Sequence, residues 1–128
     1  MSKNTEAKQT PLIYACSGCS NVAQLANNVA VNLDRQGLAE MSCIAGVGGG
    51  VKSLVKKAQA GRDIIAIDGC PLACTKACLS TAGVEPTHYI QLADWQYKKR
   101  YHSDYSQADV VQVVERMIDN YQLTAPKL

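Results

Sequence analysis

The feature that most constrains the fold is an alternation: a short apolar run followed by a helix-periodic segment, four times along a chain of 128 residues. The first run, "PLIYAC", ends in a cysteine turn. Ser20 or Asn21 can cap the segment that follows, where Val22, Leu25, Ala26, Val29, Ala30 and Leu33 recur at helical spacing until Gly37 stops it. "MSCIAG" reads as the second strand, "GVGGG" as a loop, and residues 51–60 as a helix burying Val51, Leu54, Val55 and Ala58. "DIIAIDGC" is the most apolar strand. After it, "PLACTKACLSTAG" predicts a helix with Pro71 at its first position and Gly83 at its end. "THYIQLADW" alternates like a less buried strand, and a polar loop, 96–107, leads to a last helix using Val110, Val111, Val114, Met117, Ile118 and Tyr121.

Consecutive strand-then-helix units demand right-handed crossovers, and these place parallel strands side by side under helices. The predicted class is α/β: a single-domain, three-layer Rossmann-like or flavodoxin-like sandwich with a four-stranded parallel sheet of order 2-1-3-4 and helices on both faces. Residues 1–10 read as a polar N-terminal tail and residues 11–128 as one domain, since 47% hydrophobic content at this length suffices for one core and not for two. In that strand order the winding reverses between strands 1 and 3, which opens a ligand crevice at their carboxyl edge. Both cysteine turns, "CSGC" and "DGCPLAC", fall there.

The six cysteines (16, 19, 43, 70, 74 and 78) therefore carry the functional argument. A domain with its own core does not need disulfide staples, so ligands, redox thiols or small core residues are the readings to weigh. Cys16, Cys19, Cys70 and Cys74 can converge on one zinc ion. A two-residue gap suits a shared tetrahedral ion, and residues four apart at a helix start differ in rise by about 6 Å. Cys78, about 12 Å from Cys70 if both sit on one helix, cannot share that ion and reads as core. Cys43, inside the second strand, also reads as a small buried residue. Helix amino-termini after Ser20 and Cys70 would stabilise the surplus thiolate charge and lower thiol pKa values.

Three runs, "YACSGCSNVAQLANNVA", "CIAGVGGGV" and "IIAIDGCPLACTKACL", resemble the DGC-domain proteins across about residues 12–121, the family's name matching Asp68, Gly69 and Cys70. That resemblance implies a zinc-binding protein of prokaryotic type with four chelating cysteines. The pairs in "CSGC" and "DGCPLAC" fit those positions best, with Cys43 as a substitute ligand. It implies no particular reaction.

The remaining motifs bound the alternatives. "GVGGGVKS" is a glycine-rich entry to a helix, so Gly48, Gly49 and Gly50 are candidates for an anion-binding loop, although Val51 stands where a Walker or GxGxxG motif needs glycine. Asp68 is placed to accept hydrogen bonds near the sulfurs, while His88 lies at the wrong sheet edge and His102 reads as a surface residue. Two rivals to zinc remain: a thiol-disulfide oxidoreductase attacking through Cys16 of the Cys16/Cys19 pair, and an iron–sulfur protein. A formal charge of +2 gives no expectation of nucleic acid or membrane partners, and the run Lys98, Lys99, Arg100 reads as a solvated loop. "MSKNTEAKQT" lacks the apolar segment of a secretory signal, and the expected compartment is the cytoplasm.

Overall fold

The structure is a computed structural model that describes residues 9–126; of the polar segment 1–10, residues 1–8 lie outside the described residues. Its sheet holds four strands in the order β2-β1-β3-β4. These are β1 (Leu12–Ala15), β2 (Glu40–Met41), β3 (Ile64–Asp68) and β4 (His88–Gln91), every pairing parallel. The helices are α1 (Asn21–Arg35), α2 (Ile44–Gly48), α3 (Lys52–Ala58), α4 (Cys74–Thr81) and α5 (Gln107–Tyr121), with a 3₁₀ turn at Leu92–Trp95.

Strand alternation divides the core in two. Ile13, Ala15, Ile65 and Ile67 point to the face covered by α1 and α5, where Leu25, Val29, Val113 and Met117 meet them. Leu12, Tyr14, Ile64 and Ala66 point to the opposite face, against Val47, Ala58 and Leu79 of α2, α3 and α4. The central pair, β1 and β3, is buried along its whole length, which is why its runs are apolar up to Asp68 at the end of β3.

The α/β class and strand order are as the sequence predicts; several local elements differ. "MSCIAG" supplies only Met41 to β2, and Ile44 begins α2, so the glycine segment taken for a loop is partly helical. Close approach explains this. A Cβ at Gly48 would lie 2.7 Å from Cys78 Sγ, and one at Gly46 would collide with the Leu54 side chain. Glycine is used here for helix packing despite its low helix propensity. Pro71 is not at a helix start: residues 70–73 form a turn closed by Ala73 N–H donating to Cys70 O at 3.1 Å, and α4 begins only at Cys74. Val51 and Val111, expected in buried faces, are 49% and 46% exposed. No helix among the described residues is long and apolar enough to cross a membrane.

Candidate functional site

Three connections meet at the carboxyl edge of β1 and β3. The first is the turn 16–20 between β1 and α1, where Ser20 caps α1 by accepting from Ala23 N–H at 3.1 Å. The second is the turn 69–73 after β3. Gly69 lets this turn sit against the start of α1, directly after the first, because a Cβ there would stand 2.7 Å from Val22 C and 2.9 Å from Ala23 N. In that contact Gly69 N–H donates to Cys16 Sγ at 3.3 Å. The third connection follows β4 and crosses over as a strap. Buried Asn21 pins it: its Nδ2 donates to Lys98 O at 2.9 Å, while its Oδ1 accepts from Arg100 N–H at 2.5 Å. Asn21 N–H also donates to Arg100 O at 3.0 Å, and an isolated bridge joins Ser20 to Tyr101.

Together these segments enclose a cavity of about 430 Å³ lined by Cys16, Cys19, Cys70, Cys74 and Cys78. All four predicted ligands are on one wall system. Since Gly69 N–H touches Cys16 Sγ and Gly69 precedes Cys70, the sulfurs of Cys16 and Cys70 lie within roughly 10 Å of each other. Cys78 joins them on the cavity wall: its expected separation from Cys70 supposed one helix for both, and Cys70 precedes α4. Cys43 stands apart from that wall: it is the N-cap of α2, exposed, and neither core nor cavity lining.

The donor chemistry suits a soft metal ion, whereas the sulfurs are not gathered around a point. Among the described residues, no three His, Cys, Asp or Glu side chains form a group that could hold one ion. Cys19 and Cys74 are exposed and free to turn, and one χ1 step moves a cysteine sulfur by about 3 Å.

Electrostatics correct a second expectation. Burial pushes the Cys16 thiol up to about 11, with Asp68 and the Cys74 and Cys70 sulfurs adding to the shift and the Gly69 N–H opposing it. The helix field does not prevail at this residue. Burial also raises the Cys78 thiol, again with help from Cys74 and Asp68. Lys99, on the strap, donates to Cys70 Sγ at 3.4 Å and lies 5.0 Å from the centre of the Tyr101 ring. Hydrogen bonds to Tyr101 and Cys70 raise its pKa.

Asp68 is 1% exposed and fully engaged. Its carboxylate accepts from Thr75 N–H at 2.8 Å, Lys76 N–H at 3.1 Å and the Tyr89 hydroxyl at 2.9 Å. It thus serves the first turn of α4, whose own N-cap, Ala73, has no acceptor and a left-handed φ of 53°. The candidate anion loop has no free cradle: Gly49, Gly50 and Val51 N–H groups donate to Ala45, Val47 and Gly46 carbonyls. His88 stacks on Tyr121 at 4.2 Å, at the amino edge of the sheet.

Local reasoning missed Lys99, Tyr101 and the pinning role of Asn21. The strap's anchor points are 77 and 79 residues from Asn21, and no short-range pattern reveals such a contact.

The family model described as the DGC domain matches residues 12–117. The chain belongs to the DGC-domain family. Its Asp-Gly-Cys residues are the helix-capping carboxylate, the close-contact glycine and a cavity sulfur described above. A relative from Pseudomonas aeruginosa (strain ATCC 15692 and its synonyms), named "Anaerobic and virulence modulator AnvM", is 62% identical over 94 residues, covering 73% of this chain and 72% of the relative. No solved structure matches.

Proposed function

We propose that the cavity is a soft-metal site that takes zinc, with sulfur ligands drawn from Cys16, Cys19, Cys70 and Cys74, and with Cys78 within reach as a fifth thiol. One observation carries this reading: five of the six cysteines, from two segments far apart in the chain, 16–19 and 70–78, line a single cavity at the strand-order switch point. A thiolate set of that kind favours zinc over hard cations. Four sulfurs would close a tetrahedron and suit a structural or regulatory ion, while three would leave a position open for a water or substrate to be polarised. The likeness to a protein named as a modulator favours the regulatory use.

Cys43, exposed and away from the cavity, is no longer needed as a substitute ligand. The oxidoreductase alternative is weakened by the chemistry of Cys16, because a thiol held near 11 is not an attacking thiolate at neutral pH. An iron–sulfur cluster would use the same sulfurs, and visible absorbance separates it from zinc.

The test is elemental analysis of anaerobically purified chain with free-thiol counting before and after chelation. About one zinc per chain, with about four thiols unmasked by the chelator, is expected from a tetrathiolate site. Metal-free protein with all six thiols titratable and no gain of stability on adding zinc would overturn the reading.

A further inference from the structure

The cavity is larger than one ion and its ligands fill. Its volume of about 430 Å³ falls within the range of small-molecule pockets. Between the sulfurs its wall is apolar, formed by Ala23, Ile44, Ala73 and Leu72, with Tyr101 on the strap. Leu72 and Tyr101 are also the two most exposed large hydrophobic residues among those described, at 71% and 57%. Side chains that sit so open beside a cavity are ready to be covered.

The wall carries one charge of each sign, and the two are engaged differently. Asp68 and Lys99 are the charged residues lining the cavity, and Asp68 already accepts three hydrogen bonds. Lys99 forms no ion pair among the described residues: its contacts are the Cys70 sulfur and the Tyr101 side chain. The strap that carries it is fixed by the Asn21 side chain on either side, at Lys98 O and Arg100 N–H, so this ammonium is held at the cavity.

We propose that the cavity binds a small organic anion with an apolar body, the Lys99 ammonium pairing with its acid group while Leu72, Ile44 and Tyr101 cover the body. This goes beyond zinc binding and does not require it. Such a ligand would lie across the mouth of the thiol cavity and shield the sulfurs from solvent, so its presence would be felt by whatever the thiols bind.

The experiment uses chelator-treated full-length chain and two fluorescent probes that share an apolar body. One, 8-anilinonaphthalene-1-sulfonate, carries an acid group; the other, N-phenyl-1-naphthylamine, does not. The anionic probe should bind at one site, and K99A should weaken it about fivefold while K99R restores it. The neutral probe should bind K99A and the unsubstituted chain alike, and L72A should weaken both probes. Saturating anionic probe should also slow alkylation of Cys19 and Cys74 by iodoacetamide. Equal binding of the anionic probe to K99A and the unsubstituted chain, or binding without protection of those thiols, would overturn the proposal. Matching urea midpoints for K99A and the unsubstituted chain exclude a folding defect as the cause. Because no metal is present, a failure of the zinc reading leaves this result unchanged, and the converse holds as well.

Discussion

Asp68 ends β3 yet does the work of a helix cap for α4, because Ala73 at the cap position offers no side-chain oxygen. Replacing it with alanine leaves two backbone N–H groups and a tyrosine hydroxyl without their acceptor. The D68A chain should lose about 2–4 kcal/mol in urea unfolding, more than an exposed cap would cost, since Asp68 and Thr75 are buried. Gly69 is governed by contact with backbone, which cannot swing aside. G69A should cost about 3 kcal/mol or separate the two thiol turns, read by unfolding and by faster alkylation of Cys16. Tyr89 gives a pH signature. Burial, and next the hydrogen bond and charge of Asp68, push its phenol from 10.0 up to about 12, with Gln91 pulling the other way. Its folded pKa is raised, so its contribution is complete below pH 10. It declines between pH 10 and 12, as the unfolded phenol ionises first. Because Tyr89 is half-exposed, that contribution is held to about 1 kcal/mol, and Y89F should lack it when both chains are melted at pH 9 and 11.5.

At the scale of elements, what could be read in advance was whatever has a period. α1 and α5 show helical spacing over fifteen residues each, and the apolar runs 12–15 and 64–67 announce a buried parallel pair. The strand order followed from taking the common winding of a short doubly wound chain. The misses share a cause, in that tertiary contact overrode local preference. Gly46 and Gly48 look like a loop and are helical because α2 must approach Leu54 and Cys78. Cys70 looks like a helix start, but Ala73 turns left-handed and delays α4 to Cys74. The candidate site was legible to the extent that "CSGC" and "DGCPLAC" mark a switch point, and illegible where the strap supplies Lys99. The Asn21 pin can be tested directly. N21A removes two partly buried hydrogen bonds between its side chain and the strap backbone, and should cost about 1–3 kcal/mol. Amide exchange at Arg100 should accelerate well beyond exchange in β3, because the strap is held locally while the sheet is not touched.

The whole molecule places the thiols so that any shared ligand ties together parts of the chain that the sheet joins at their bases and a few hydrogen bonds join above it. Cys16 and Cys19 follow β1, Cys70 and Cys74 follow β3, and the strap that encloses them follows β4. An ion held by sulfurs from both turns closes the crevice that the reversal of winding opens, and it binds the folded chain in preference to the unfolded one. The resulting stabilisation is set by mass action: at a free zinc concentration about 100 times the dissociation constant it amounts to about 2.7 kcal/mol, near 10 °C in melting temperature for a domain of this size. The same ion must displace protons. Cys16, held near 11 by burial and by neighbouring sulfurs, is protonated at neutral pH and would release its proton on ligation, so zinc affinity should rise as pH increases from 6 to 8. Substitutions in the two turns should then fail to add. C19S and C74S should each remove most of the zinc-dependent rise in melting temperature, and the double substitution little more, because either one already breaks the four-sulfur set. If the two losses add in full, the turns bind separately and no shared ion spans β1 and β3. Calorimetric melts of the single and double variants, with and without zinc, decide between these outcomes.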